Sequence, residues 1–256
     1  MISVVIIGSG NVGAHFFNTF KQIEQINVLQ WFSRTLSNIE HHKNEVAITN
    51  SLDNIIDYAD IYIIAVADSA ISEVSSKLLF SNKLVVHTSG ALSIHNIDRK
   101  HRRGVLYPLQ TFTKDTPIDL KTVPFCIEAL DKEDYTLLKK LTQYIGSSAK
   151  RMNSEQRNIL HLAAVFVNNF TNQLYRIAHE ITDEKGVDFH MLKPLLLETA
   201  KKVHTISPYM AQTDPAKRGD LNTILTQLKL LKKEQHKALY KLLTQSIQET
   251  HGSTEL

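Results

Sequence analysis

The sequence predicts an α/β protein in which a mostly parallel sheet domain precedes an all-α domain. Three observations indicate this class. Short β-rich runs alternate with helical patterns through the first half of the chain. A glycine-rich turn joins the first predicted strand to the first predicted helix. Beyond about residue 154 we find only helical patterns, so we place the two domains at residues 1–152 and 153–256.

The strands of the first domain are predicted by short apolar runs. The first run, "ISVVII", is apolar on both sides, as is typical of a strand buried on both faces of a parallel sheet. The predicted strands are Ile2–Ile7, Val28–Phe32, Val46–Thr49, Ile61–Val66, Lys83–His87 and Pro124–Ala129. The predicted helices between them are Asn11–Ile23, Leu52–Tyr58 with Ser51 as its N-cap, and Lys132–Tyr144 with Gly146 as its C-terminal cap.

The second domain is predicted from helical patterns alone. A long helix over Glu155–Lys185 ends at Gly186, and Asp188 caps a helix over Phe189–Thr205 that Pro194 bends. A loop over Ser207–Asp220 precedes helices over Leu221–Leu231 and Glu234–Thr250, and the tail from His251 is expected to fray. The long helix carries "ILHLAAVFVNNF", which is apolar nearly all round and must be covered on several sides. We therefore expect a homodimer formed through the C-terminal helices.

Composition narrows the possible partners and compartments. The net charge of +3 is too small to indicate nucleic-acid binding. Cys126 is the only cysteine, which excludes an intrachain disulfide. We recognise no signal peptide and no apolar segment long enough to cross a bilayer, so we expect a cytoplasmic protein that does not bind membranes. The histidines show no metal-ligand spacing, and we expect no metal site.

The stretch "IIGSGNVG" has the spacing of a dinucleotide-binding turn. The first glycine allows the tight turn, the second lets the backbone approach a pyrophosphate, and the third lets the helix pack against the strand. Free N–H groups at the start of the helix then face the phosphates. The alternative is a tight turn without a ligand. The expected cofactor contacts here are Gly8, Ser9, Gly10, Asn11, Val12 and Gly13.

The end of the second strand, "WFSRT", indicates which dinucleotide binds. An NAD site has an acidic residue about 20 residues after the glycines, whereas an arginine there suits the 2′-phosphate of NADP. Arg34 occupies this place, and Ser33 and Thr35 add hydroxyl groups. The sequence therefore favours NADP over NAD. A solvated surface arginine is the alternative.

The reacting end of the cofactor is expected beyond the fourth and fifth strands. Ala65 and Val66 let the cofactor ribose pass close to the backbone. In "VVHTSGALS", His87 lies near the nicotinamide, where it can donate a proton, and Ser89 can orient it or the substrate. A structural histidine bonded to the next loop is the alternative for His87. The segment from Tyr107 through Pro108–Thr111 is interpreted as a loop that forms either a substrate wall or an interdomain linker.

Taken together, "IIGSGNVG", "AVADSAI", "HTSGALS", "YPLQTF", "LHLAAVFVNNF" and "RGD" resemble the Rossmann-like proteins with a C-terminal DUF2520 domain. The N-terminal half is similar to the F420-dependent NADP oxidoreductases. The overall plan resembles pyrroline-5-carboxylate reductase and the 6-phosphogluconate and β-hydroxyacid dehydrogenases. The resemblance implies NADP binding by the first domain and dimerisation through the second. It implies no particular substrate.

Two departures from these families bear on the chemistry. The β-hydroxyacid dehydrogenases carry a catalytic lysine four residues before an asparagine. If Asn169 matches that asparagine, Val165 stands in place of the lysine and cannot transfer a proton. His161, about two turns earlier, can replace it in part, although it can also be a packed helix residue. Tyr107 stands where many relatives carry histidine, and a phenol can still donate a proton.

Two hypotheses follow for the function. The first is an NADP-dependent oxidoreductase that transfers hydride to a C=O or C=N group, or to an F420-like acceptor, bound between the two domains. Its catalytic residues would be His87, Ser89, His161 and Asn169. Lys217 and Arg218 would also suit a small anionic substrate. The second is a non-catalytic NADP-binding sensor or assembly module.

Overall fold

The computed structural model describes residues 1–113 and 116–251, and it divides into two compact units. The first unit, Met1–Asn168, is α/β, and the second, Asn169–Leu256, is helical. The first unit extends past residue 152, where the sequence places the end of the first domain. The predicted domain limits themselves stay a prediction.

An eight-stranded sheet forms the centre of the first unit, in the order β3-β2-β1-β4-β5-β6-β7-β8. Neighbouring strands are parallel except for β6 and β7, which are antiparallel. The mostly parallel sheet is therefore confirmed. The strands are β1 Ile2–Ile7, β2 Ile26–Phe32, β3 Ala47–Thr49, β4 Ile61–Ile64, β5 Leu84–His87, β6 Arg102–Pro108, β7 Phe125–Ala129 and β8 Ala149–Arg151.

The central strands are buried on both faces, as their apolar runs predict. Val4 and Ile6 of β1 join one hydrophobic cluster, which also contains Phe16 and Phe20 from the first helix. Val5 and Ile7 belong to a second cluster. Successive residues of a strand point to opposite faces, so the uninterrupted apolar run fills both cores.

Four α-helices belong to the first unit: α1 Asn11–Phe20, α2 Ile71–Lys77, α3 Lys132–Ile145 and α4 Ser154–Ala164. α3 ends at Gly146, whose φ of 82° is the left-handed C-terminal cap that the sequence predicts. The predicted helix over residues 52–58 is wrong, because only one 3₁₀ turn forms at Leu52–Asn54. Ser51 makes no side-chain cap there, and its backbone N–H instead donates to the Thr49 hydroxyl.

The loop predicted around Tyr107 and Pro108 is instead the end of strand β6. The strand starts with two arginines and a glycine and ends in proline, so it lacks the uninterrupted apolar run that predicts a buried strand. Gly104 is needed because a Cβ there would lie 2.9 Å from Val86 Cγ1 and 3.3 Å from Leu138 Cδ1. β6 pairs with β5 in parallel and with β7 in antiparallel orientation.

The second unit contains α5 Thr171–Asp183, α6 Lys193–Thr205, α7 Pro208–Ala211, α8 Leu221–Leu230 and α9 Glu234–His251. The long helix predicted over residues 155–185 is interrupted, because Val165–Phe170 is π-helical. Asp188 accepts from the His190 N–H and begins a 3₁₀ turn over Phe189–Leu192. Pro194 then lies in the first turn of α6, where it is tolerated without the predicted bend.

The predicted loop over residues 207–220 contains the short helix α7. The predicted frayed tail lies outside the described residues from 252 onward, whereas His251 closes α9. Across residues 1–113 and 116–251, none of the helices has both the length and the apolar character that a membrane-spanning helix needs.

Candidate cofactor and active site

The glycine turn between β1 and α1 is closed by contacts that leave no room for side chains at two of its positions. Gly8 has a φ of +121°, and a Cβ there would lie 2.3 Å from the Ala65 carbonyl oxygen. A Cβ on Gly13 would lie 2.3 Å from the Gly8 carbonyl oxygen. Packing alone therefore requires glycine at positions 8 and 13, because Ala65 and Val66 lie against Gly8 and the Gly8 carbonyl lies against Gly13.

Gly10 differs, because nothing in its surroundings requires glycine. It is exposed, its φ is −71°, and the nearest atom to a Cβ built on it is 4.0 Å away. It forms the N-cap of α1 without a side-chain cap, so the first N–H groups of the helix have no partner within the helix. Open backbone at a helix start fits a pyrophosphate, which binds to such N–H groups. The residues present therefore fit a dinucleotide.

Two hydrogen bonds from β2 hold this turn in place. The buried Trp31 donates its indole N–H to the Gly8 carbonyl oxygen at 2.8 Å. The Gly8 N–H donates to the Phe32 carbonyl oxygen at 2.9 Å. Asn11, at the start of α1, donates its side-chain amide to the Phe112 carbonyl oxygen at 2.8 Å. The sequence prediction missed the role of Trp31, which depends on the pairing of β1 with β2.

At the end of β2, the hydroxyl groups of Ser9 and Ser33 connect the glycine turn to the backbone of Thr35. Ser33 donates its hydroxyl to the Thr35 carbonyl oxygen at 2.8 Å, so the Ser9 hydroxyl must donate to Ser33 across 2.7 Å. The hydroxyl proton of Ser33 is therefore not free for a phosphate. Arg34 is exposed, and its side chain has neither a hydrogen bond nor an ion pair with the residues that the structure describes. Its guanidinium is available to an anionic ligand.

His87 lies at the end of β5 and is completely buried. Its Nδ1 accepts from the Ser89 N–H at 3.2 Å, so the proton of the neutral ring is on Nε2, which lies 3.2 Å from the Ser93 carbonyl oxygen. Burial, aided by the positive charge of Arg157, lowers its pKa from 6.5 to about 4. This geometry favours the structural alternative for His87, because both ring nitrogens stabilise the following loop.

Ser89 is paired with a carboxylate that the sequence prediction did not include. Its hydroxyl donates to Asp68 Oδ2 at 2.8 Å and accepts from the N–H groups of Ala91 and Leu92. Asp68 is exposed and follows β4 in a 3₁₀ turn. The Ser89 hydroxyl bonds to Asp68 and not to His87. Ser89 and His87 therefore do not form a Ser–His nucleophile pair.

A buried ion pair supports the same loop from the side of α4. Arg157 has no exposed surface, pairs with Glu128 of β7 and donates to the Leu92 carbonyl oxygen. Ser154 donates to Glu128 at 2.9 Å and accepts from the Ile94 N–H at 2.9 Å. The loop after β5 is thus held by Asp68 from the side of β4 and by Ser154 and Arg157 from the side of α4. The sequence prediction missed this network, whose members are separated along the chain.

Tyr107 and His161 meet beside this loop. The Tyr107 hydroxyl at the end of β6 lies 3.1 Å from His161 Nδ1 on α4. Gly90 makes the pair possible, because a Cβ on it would lie 2.7 Å from His161 Nδ1 and 2.8 Å from Tyr107 Cζ. Burial raises the pKa of Tyr107, so the phenol keeps its proton. The structure therefore brings together Ser89, Gly90, Tyr107 and His161.

The other predicted residues lie elsewhere. Asn169 is exposed and begins the second unit within the π-helical segment. Pro108 is buried, whereas Gln110 and Thr111 are exposed. In the RGD triplet, Asp220 caps α8 by accepting from the Thr223 N–H, and the preceding Lys217 donates its ammonium group to the Gln212 carbonyl oxygen. Within the described ranges, no three potential ligands cluster as a metal site would require.

Comparison with known proteins assigns the chain to a family. Residues 3–90 match the family described as NADP oxidoreductase, coenzyme F420-dependent, and residues 123–247 match a domain of unknown function, DUF2520. A candidate NADP oxidoreductase from Bacteroides fragilis is 35% identical, with a TM-score of 0.85 over 97% of this chain and 98% of that one. The chain belongs to a family of NADP oxidoreductases in which an F420-dependent oxidoreductase domain precedes a DUF2520 domain. No curated protein matches it in sequence.

More distant structures share the fold of this chain. A Thermotoga maritima protein is 21% identical, with a TM-score of 0.74 over 97% of this chain and 98% of that one. A reductive aminase from Aspergillus terreus, solved with NADPH and ethyl levulinate, is 14% identical, with a TM-score of 0.74 over 98% and 95% of the two chains. At these identities the likeness concerns the fold alone.

The family assignment confirms the cofactor and the general activity. The protein is an enzyme of the NADP-dependent oxidoreductase type, and NADP is its cofactor. The open amides at Gly10 and the unpaired Arg34 fit that cofactor. The individual contact residues stay a prediction.

Proposed function

We propose that this oxidoreductase transfers hydride from NADPH to a C=O or C=N group beside the ends of β4, β5 and β6. The observation that carries this proposal is the Tyr107–His161 pair, held beside Gly90 in the same unit as the glycine turn. Ligands of open α/β sheets bind beyond the carboxyl ends of the strands, and Tyr107 lies at such an end. The pair supplies a polar group where the reacting end of the cofactor is expected.

The cofactor contacts follow from the same geometry. The amides that begin α1 bind the pyrophosphate, and Arg34 binds the 2′-phosphate through its N–H groups. Thr35 is exposed beside Arg34, whereas Ser33 contributes by positioning Ser9 and Thr35. When bound, NADPH supplies the hydride.

Reduction of a carbonyl or a neutral imine needs a proton for the oxygen or nitrogen as the carbon receives hydride. The Tyr107 phenol is protonated because burial raises its pKa, and it can give that proton to the heteroatom. The neighbouring imidazole of His161 can relay a replacement proton. His87 is excluded from this step because its ring is buried and both nitrogens are bonded. Tyr107 therefore replaces His87 as the proposed donor.

Substitution of single groups tests this assignment. Tyr107→Phe should lower kcat for a ketone by about 100-fold, the usual contribution of a positioned acid, while NADPH binding is unchanged. Tyr144→Phe is the matched control, since it removes a phenol from α3. Oxidation of NADPH is followed with ketones, imines and F420-like acceptors. If Tyr107→Phe and Tyr144→Phe had the same rate as the native enzyme, the Tyr107 assignment would be wrong.

The family membership argues against the non-catalytic sensor. The locked, neutral His87 removes one candidate proton donor, and Tyr107 supplies another. Asn169 as a catalytic residue and a substrate bound between the two domains remain predictions. So does an anionic substrate held by Arg218 and Lys217.

We also propose that the protein is a homodimer formed through its C-terminal helices. Large apolar side chains are exposed on several helices of the second unit, which is unusual unless a partner covers them. They include Leu174, Ile181, Leu195, Leu225 and Leu242. Sedimentation equilibrium should give twice the mass of the chain, and Leu195→Glu with Leu225→Glu should shift it toward monomer. A native monomer at micromolar concentration would contradict the proposal.

A further inference from the structure

The carbonyl oxygen of Gly8 is enclosed on two sides. Trp31, which is 2% exposed, donates its indole N–H to this oxygen at 2.8 Å. On the other side, a Cβ on Gly13 would lie 2.3 Å from the same oxygen, so the carbonyl occupies the space that the missing side chain leaves. The Gly8 carbonyl therefore points into the protein, against α1.

Two neighbouring rings fix the position of the indole. Phe17 of α1 stacks on Trp31, with 4.4 Å between the ring centroids and 23° between the planes. The His42 ring lies 5.5 Å from the Trp31 ring and 4.7 Å from the Phe17 ring. His42 is itself held by Glu45, whose Oε1 lies 2.7 Å from His42 Nδ1. Packing therefore keeps the indole N–H aimed at the glycine turn.

The direction of the Gly8 carbonyl decides what the turn offers to an anion. In a trans peptide the C=O and the N–H point in opposite directions, so the inward carbonyl turns the Ser9 N–H outward. Gly8 has a φ of +121°, and the backbone of a glycine has few steric limits, so this peptide can rotate. Without the indole donor the carbonyl would be a buried acceptor that lacks a partner, which favours its rotation outward. An outward carbonyl would set the negative end of a peptide dipole against a pyrophosphate.

We infer that Trp31 is a positioning residue for the cofactor, because its indole N–H keeps the Gly8–Ser9 peptide in the orientation that presents N–H groups to the pyrophosphate. The inference rests on the proposed cofactor contacts and adds to them a residue of the buried core. Its effect concerns the pyrophosphate alone. The 2′-phosphate is assigned to the exposed side chain of Arg34, which the Gly8 peptide does not hold.

Removal of the ring N–H tests this inference on the full chain. Trp31 is the only tryptophan, so biosynthetic replacement of tryptophan by 3-benzothienyl-alanine changes this position alone and exchanges the N–H for sulfur in a ring of similar shape. Trp31→Phe is a second variant, which keeps a ring against Phe17. Tyr62→Phe is the matched control, since it removes from β4 a buried hydroxyl that accepts from the Ala59 N–H at 3.1 Å.

Calorimetric titration with NADP⁺ and with adenosine 2′-monophosphate separates the two phosphate contacts, because the second probe has the 2′-phosphate but no pyrophosphate. We expect both Trp31 variants to bind NADP⁺ about tenfold more weakly than the native chain, as loss of one buried hydrogen bond predicts, and adenosine 2′-monophosphate within about twofold of the native Kd. Tyr62→Phe should bind both ligands like the native chain. Arg34→Glu should weaken both.

An N–H that only stabilises the fold would lower the Tm on removal without changing the ratio of the two Kd values. The native Kd for NADP⁺ in the benzothienyl protein, or equal weakening of both ligands, would overturn the inference and leave the proposed reductase intact. Oxidation of NADPH by the native chain is measured separately. A failure of the proposed hydride transfer therefore leaves the comparison of Kd values unaffected.

Discussion

Replacing Gly10 by alanine should abolish NADPH binding without unfolding the protein, because the two effects have separate structural causes. A Cβ at position 10 meets no atom closer than 4.0 Å, and the φ of −71° suits alanine. Reduced freedom of the unfolded chain stabilises such a variant by about 0.4–1 kcal/mol, which offsets a similar loss at the N-cap. The expected change in the free energy of unfolding is within about 0.5 kcal/mol of zero.

Gly13→Ala is the matched control with the opposite outcome. Its Cβ would lie 2.3 Å from the Gly8 carbonyl oxygen, so the turn must shift. Overpacking of this kind destabilises by about 1–3 kcal/mol, which lowers Tm by several degrees in a chain of this size. Replacement by alanine thus distinguishes Gly13, which packing requires, from Gly10, which is expected to face the ligand.

The assay is thermal unfolding with and without NADPH, supported by calorimetric titration. A ligand at 100 times its Kd stabilises the native state by about 2.7 kcal/mol, and Gly10→Ala should lose that gain while keeping the Tm of the free protein. If Gly10→Ala binds NADPH as tightly as the native chain, the amides at this turn do not hold the pyrophosphate. A large drop in the Tm of free Gly10→Ala would show that packing requires this glycine after all.

Three further predictions concern single side chains. Arg34→Glu should reduce the preference for NADPH over NADH by at least about tenfold in titrations, because it replaces a guanidinium by a carboxylate beside the 2′-phosphate; an unchanged preference would contradict the role of Arg34. The pKa of His87 falls from 6.5 to about 4 on folding, because the buried ring resists protonation. The free energy of unfolding is therefore at its full value above pH 6.5 and decreases by up to about 3 kcal/mol as pH falls toward 4. His87→Gln should remove that slope from unfolding measured across this range, and an identical slope would refute the assignment. Arg157→Met should destabilise the protein by about 3 kcal/mol, because it leaves the Glu128 carboxylate without its partner. The double variant Arg157→Met with Glu128→Met should recover part of this loss. Denaturant unfolding measures the free energy of unfolding of both variants.

Short-range patterns predicted the parts of the fold that depend on neighbouring residues. The run from Ile2 to Ile7 and the glycines that follow it predict a buried strand, a tight turn and a helix, and the structure contains all three. Gly146 likewise marks the end of α3. β6 was missed because its polar start and terminal proline hide a strand whose pairing partners are distant in sequence.

The candidate site was only partly predictable for a similar reason. His87 and Ser89 were singled out, but their roles depend on Asp68, Ser93 and the buried Arg157. Nothing within a short window shows that a histidine will be buried with both nitrogens bonded. The exposed carboxylate in "AVADSAI" was a visible signal, and its importance emerged only from its bond to Ser89.

By itself, the amino-acid sequence predicted the α/β class from alternating strand and helix patterns, the glycine turn from backbone freedom at the end of β1, and NADP from the charge at the end of β2. Tertiary structure alone decided which side chains meet beyond the ends of β4, β5 and β6. It joins Ser89 to Asp68 across 21 positions, and Tyr107 to His161 across 54. Such pairs form only when separate strands and helices pack, since the order of strands in the sheet, not distance along the chain, brings their side chains together.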